Sequence, residues 1–156
     1  MNRFNQILSA HHYGGRSRFI AHQIKALDFD ALREAAHDMA ELIDYSYVLV
    51  PAPSHLGNAT DSLALALFIS ELSGAQVADV LKGRPRLSNY FAKLNGTPLI
   101  PCDMDIHSVV SLHGNIAVVD NVIDSGATAI ACAEALGDCS MLSYAMTNNL
   151  HHGQKY

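Results

Sequence analysis

Cysteine is scarce in this chain and badly spaced for metal or disulfide work. Cys102, Cys132 and Cys139 form no Cys-x-x-Cys pair, which excludes a zinc ribbon and a disulfide framework as sources of stability. Such usage fits a reducing compartment, so a cytoplasmic location is expected. Long apolar runs are lacking too. The longest, LALALFI at 63–69, is far short of a membrane span, and the opening MNRFNQILSAHHYGG has no apolar segment of the signal-peptide kind. No membrane partner is expected. Positive charge is in deficit, with 10 Lys and Arg against 15 Asp and Glu for a net charge of −5, which disfavours a domain built chiefly to grip nucleic-acid phosphates. No GxxxxGK[ST], GxGxxG or GxSxG sequence occurs, so the fingerprints of nucleoside triphosphate hydrolysis, dinucleotide binding and serine hydrolysis are all missing. From Pro51 to Leu81 there is neither Lys nor Arg.

What is present describes a globular protein. With 156 residues, 49% of them hydrophobic and 16% charged, the chain is long enough for one domain with a sizeable core. DFDALREAAHDMAELI sets Leu32, Ala35, Met39, Leu42 and Ile43 at helical spacing, with Asp28 or Asp30 as N-cap. YSYVLVPAP, closed by Pro51 and Pro53, reads as a buried strand. NATDSLALALFISELSG offers Asn58 or Thr60 as cap, Gly74 as stop, and a middle so apolar that burial on several sides is expected. AQVADVL is a short strand candidate. NIAVVDNVI is a stronger one, because its continuous apolar run suits a parallel strand covered on both faces. ATAIACAEAL then reads as a helix stopped by Gly137, and CSMLSYAMT as a last strand. This alternation predicts a doubly wound, mostly parallel α/β sheet flanked by helices. Residues 1–25 read as a hood or edge segment, and 82–112, which keep no period, as a mobile loop or irregular hairpin.

In such a sheet ligands sit beyond the carboxyl ends of the strands, and DNVIDSGAT lies at one. With the strand ending at Asp120 and a helix starting near Gly126 or Ala127, Ser125 to Thr128 would present backbone amides and two hydroxyls at a helix N-terminus. That arrangement suits a phosphate. Asp120 would accept hydrogen bonds from sugar hydroxyls or help hold a hydrated Mg²⁺. The competing reading is that Asp124 or Ser125 merely caps the helix. His11 and His12, beside Tyr13, read as polar surface, the alternatives being the lining of an acceptor pocket or a metal site. His151 and His152 fall in a tail of frayed character.

VVDNVIDSGAT resembles the phosphoribosyl pyrophosphate (PRPP) motif of type I phosphoribosyltransferases. HHYGGRSRFIAHQIK, with its Tyr-x-Gly, and VLVPAPSHLGNAT are similar to segments of the ComF-like branch. That branch's N-terminal zinc-binding cysteines are missing, so the resemblance is to a bare transferase domain. It implies that Asp120 and Asn121 contact the ribose hydroxyls, that Asp124, Ser125, Gly126, Ala127 and Thr128 cradle the 5-phosphate, and that the amides of Pro53, Ser54 and His55 meet the pyrophosphate. It further implies Mg²⁺ as cofactor, held at Asp120 through water. Six-oxopurine transferases carry Asp at the position of Asp124, where it acts as acid or base; helix capping is the competing duty here.

Two features depart from the family. Position 121 is Asn where many members have a second carboxylate, and the loop after Pro51 carries no cation, which makes Lys82, Arg84 and Arg86 the candidates for the pyrophosphate. KGRPR also reads as an ordinary solvated loop. Three functions stay open: transfer of phosphoribosyl from PRPP to a nucleobase or other small nitrogen acceptor, a PRPP- or nucleotide-binding regulatory module, and a ComF-like accessory role in DNA uptake. A homodimer is compatible with each.

Overall fold

The computed structural model of the chain describes residues 5–149; His151 and His152 lie outside the described residues. A first strand, β1 (Ile7–His12), leads into α1 (Gly15–Lys25) and α2 (Phe29–Ala40). Asp28, not Asp30, caps α2, its Oδ1 accepting from the Ala31 amide at 2.9 Å. The face that α2 buries is Ala31, Leu32, Ala35, Ala36 and Met39. Next come β2 (Tyr47–Pro51), α3 (Asp61–Ser73), which Gly74 ends at φ 77°, and β3 (Gln76–Val77). The chain closes with β6 (Asn115–Ile123), α5 (Ala127–Leu136) and β7 (Ser140–Met146).

Five strands form one parallel sheet in the order β1-β7-β6-β2-β3. Helices α1, α2 and α3 cover one face, where Ile24, Met39, Leu49, Leu65 and Val119 share a core. On the other face α5 packs Ile130 and Cys132 against Val50, Val118 and Met141. The expected α/β class therefore holds, with helices on both faces.

Several local expectations change. The strand reading of AQVADVL splits, because a Val80 N–H to Ala78 carbonyl bond at 3.0 Å turns the chain out of the sheet after Val77. Residues Leu81–Lys82 (β4) pair instead with His107–Ser108 (β5) in a small antiparallel ladder. Helix α3 is buried along one stripe, Ser62, Leu65, Ala66 and Ile69. Leu67 and Leu72 are exposed, since solvent and not a further layer lies outside α3. Residues 7–12 are the sheet's edge strand, paired with β7 from Ile7↔Met141 to His12↔Met146.

The long insert carries a short helix, α4 (Asn89–Leu94), and a 3₁₀ turn (Pro101–Met104). It is tied to the body at named points. Met104 is fully buried against Ala127 and Ala131 of α5, and Gly83 donates its amide to the Gly57 carbonyl at 2.9 Å.

Connectivity sets where a ligand fits. From β2 the chain moves outward through α3 to β3, and from β6 it moves the opposite way through α5 to β7. Adjacent strands whose crossovers diverge leave a crevice between their carboxyl ends. In this sheet that crevice lies between β2 and β6.

Candidate functional site

A cleft of about 620 Å³ opens at that crevice. It gathers Ser54 and His55 from the β2–α3 loop, Asp61 from α3, Asp120 to Thr128 from β6 and α5, Arg86 and Tyr90 from the insert, and Lys25 from α1. A cleft of similar size, about 610 Å³, opens around Ser108 to Gly114 near the amino ends of the strands. Its only ionisable lining groups are His113 and Asp138, whereas the first joins carboxylates and cations to the N-terminus of α5.

Strand β6 runs three residues beyond Asp120, to Ile123, because Val122 and Ile123 still pair with Ala145 and Met146. Gly126 then takes the N-cap of α5 at φ 86°, ψ 0°, a left-handed conformation open to Gly and strained for other residues. The first helical bond is made by the Ile130 amide to the Gly126 carbonyl at 2.9 Å. The Thr128 and Ala129 amides before it have no intrahelical partner, and the Ala127 amide has only a long contact, 3.4 Å, to Ser125 Oγ.

Asp124 does not cap α5. Its Oδ1 accepts from Thr147 Oγ1 at 2.8 Å and Asn149 Nδ2 at 3.2 Å, and its Oδ2 is held by Lys93 Nζ of α4. Burial pushes this carboxyl up, but those three donors outweigh it and hold the pKa below the ordinary value. Asp124 is thus an ionised anchor, poorly suited to donate a proton.

Asp120 behaves in the opposite way. Partly buried in the cleft, it accepts from the Asn121 amide at 2.8 Å. Burial, reinforced by the nearby Asp61 carboxylate, lifts its pKa to about 7 against the pull of that amide, Lys25 and Arg86. Consecutive residues of a strand face opposite ways, and Asn121 accordingly turns towards α1. It is 2% exposed, its Nδ2 donates to the Ala21 carbonyl at 2.8 Å, and its Oδ1 is buried without a partner. The two neighbours do not present their side chains together.

The loop after β2 is less open to an anion than the resemblance implies. Pro53 has no N–H, and the Ser54 amide is spent on the Asn58 carbonyl at 2.9 Å. This leaves the amide of His55. Of the three basic candidates the cleft takes only Arg86. Lys82 pairs with Asp79 at 3.5 Å, and Arg84 donates to the Asp103 carbonyl at 2.8 Å, both outside the cleft. Arg86 donates its side chain to the Ser54 carbonyl at 3.1 Å and its amide to the His55 carbonyl at 2.8 Å. Its Nε is buried without a partner, and burial lowers its pKa against the pull of the nearby Asp120 carboxyl. His11 bonds Asp38 at 2.7 Å with its ring edge against Tyr144, and His12 is exposed on β1. Neither histidine lines the cleft.

Among the described residues no cluster of three or more His, Cys, Asp or Glu could cage a metal ion, and no helix is long and apolar enough to cross a membrane. Mg²⁺ needs no such cage, since it keeps several waters and takes one or two carboxylates plus substrate phosphates. Asp120 and Asp61, hard oxygen donors in one cleft, fit that requirement.

Reading the sequence alone missed Lys25, Asp61, Tyr90 and Lys93. Asp61 had a signal, as an acidic first-turn residue on a helix that follows a strand end. The others depend on how α1 and the insert fold back.

Gly57 sets how closely the insert approaches. At φ 91°, a Cβ there would lie 2.6 Å from the Gly83 carbonyl oxygen, a backbone atom that cannot swing aside. Gly57→Ala should lower stability by about 1–3 kcal/mol and displace Arg86 from the cleft. Urea unfolding checks the first part; an unchanged midpoint would mean that the loop and insert separate freely. No protein-family model and no curated protein matches the chain.

Proposed function

We propose that the protein is a Mg²⁺-dependent phosphoribosyltransferase that takes PRPP into the cleft between β2 and β6 and passes its phosphoribosyl group to a small nitrogen acceptor. The observation that carries this reading is the meeting, in one cleft, of the α5 N-terminus, the Asp120 carboxyl and the cations Arg86 and Lys25. The Ser125–Thr128 turn holds the 5-phosphate through amides and dipole. Asp120 faces the ribose, and its ionised form stabilises the positive charge that builds at C1 as the bond to pyrophosphate lengthens. Arg86 and Lys25 take the charge of the departing pyrophosphate, Arg86 with donors to spare. Bound beside Asp120 and Asp61, Mg²⁺ would supply further charge neutralisation to the pyrophosphate. Attack by the acceptor nitrogen completes the transfer with no covalent intermediate on the protein, so positioning supplies most of the rate.

Incubation with PRPP, Mg²⁺ and a panel of nucleobases, following pyrophosphate release, tests this reading. A PRPP-binding regulatory module is the second reading. It is favoured by Asn121, which sits where a second carboxylate would be expected and faces α1. PRPP binding without pyrophosphate release across the panel would select it.

Arg86→Ala separates the two ends of the substrate. It should weaken PRPP by roughly 10–100-fold, as expected for loss of a charge-assisted contact, and ribose 5-phosphate by no more than about twofold. Calorimetric titration of both ligands checks this, and equal losses would move Arg86 away from the pyrophosphate.

A further inference from the structure

The anion turn of α5 has no cation on its own elements. From Leu94 to Asn149 the sequence holds neither Lys nor Arg, and the turn opens with a carboxylate, Asp124, whose lowered pKa keeps it ionised. A phosphate arriving there meets repulsion at close range. Lys93, from the last turn of α4, lies against this carboxylate and brings a positive charge to it.

Three features suit Lys93 to more than a structural pair. Its side chain is 43% exposed, so it keeps freedom to turn. An ammonium has three N–H donors, of which Asp124 Oδ2 takes one. Asp124 is itself pinned through Oδ1 by Thr147 and Asn149, so it remains fixed while Lys93 reorients. The insert carries Arg86 as well, which places one insert cation against the β2–α3 loop and another against the α5 turn.

We propose that Lys93 is the cation of the phosphate subsite: Asp124 holds its ammonium in place, and a free N–H donor passes to a phosphate oxygen when the subsite fills. The inference rests on the phosphoribosyl reading of the cleft and goes further by naming the group that admits a phosphate dianion beside a fixed carboxylate. Lys93 thereby ties α4 to an occupied site.

A double-mutant cycle tests it, with ribose 5-phosphate and inorganic phosphate titrated calorimetrically and unphosphorylated ribose as control. K93M should weaken both phosphates by about tenfold or more, leaving the far-ultraviolet dichroism unchanged because Lys93 is on the surface. A reduced but clear loss should persist when K93M is added to D124N, since Lys93 then lacks its tether but not its donors. If Lys93 only cancels the Asp124 charge, the loss disappears in the D124N background and the inference is overturned. Equal binding by K93M and the native protein overturns it too, with the phosphoribosyl reading intact. Failure of the native protein to bind either phosphate overturns both.

Discussion

Asp120→Asn should raise stability at pH 8 while abolishing turnover. In the folded protein burial lifts this carboxyl from its ordinary 3.8 to about 7. Between those values the folded chain holds a proton that the unfolded chain has released, so stability falls as pH rises from about 4 to 7 and stays low above. Three pKa units at 1.36 kcal/mol each set a ceiling of about 4 kcal/mol. Asp120 is not fully enclosed, so solvent screening reduces this to an expected value on the order of 2 kcal/mol. For a chain of this size that is a rise in Tm of about 4–8 °C at pH 8. The gap should shrink as pH falls from 7 and close only below about pH 4, where Asp120 is protonated in the folded and the unfolded chain alike. The amide cannot supply negative charge to a cationic transition state, and pyrophosphate release should drop by about 10²-fold or more. Identical melting at pH 8 would show that the carboxylate is better solvated than its surroundings suggest. Gain of stability with loss of activity is the signature of a group held at a site against its own preference.

Such a position is only half legible in sequence. The parallel run 115–123 and the helix 127–136 can be read directly, because apolar continuity and a Gly stop fix both. The N-terminal strand and helix cannot be read in this way. GRSRFIAHQIK buries Ser17, Ile20, Ala21 and Ile24 while exposing Phe19, so its period is blurred. Ser17 is tolerated inside because its hydroxyl donates to the His12 carbonyl at 2.6 Å. With that helix unread, Lys25 could not be assigned to the cleft. The orientation of Asn121 was within reach: ending the strand at Asp120 hid the period-two rule that sends neighbouring side chains to opposite faces. The insert is the converse case. Nothing local in KGRPR distinguishes Arg86 from Lys82 and Arg84; the choice is made by long-range backbone bonds from Gly83 to Gly57 and Arg86 to His55.

Those bonds also explain how a chain with no cation between Pro51 and Leu81 brings positive charge to the loop that follows β2. The β2–α3 loop supplies carbonyls, Ser54 and His55, which hold Arg86 by side chain and main chain. The loop therefore positions a borrowed cation.

Gly126→Val should abolish the thermal shift produced by PRPP or ribose 5-phosphate. Native protein at about 100 times the dissociation constant gains about 2.7 kcal/mol from the ligand, a shift of roughly 5–10 °C. At φ 86°, ψ 0° a β-branched residue is strained by about 1–3 kcal/mol. Relief comes by rotating towards negative φ, which turns the Gly126 and Ala127 peptide planes and with them the amides that face the anion. The variant should therefore melt a few degrees lower and show no response to ligand. Strain alone is separated by Gly74→Val. Gly74 ends α3 in nearly the same conformation, φ 77°, ψ 1°, and a Cβ there meets only Tyr45 at an ordinary 3.5 Å. That variant should lose similar stability yet keep the full ligand shift. A retained shift in Gly126→Val would place the phosphate elsewhere in the cleft. Loss in both variants would make the response one of global stability rather than of the α5 turn.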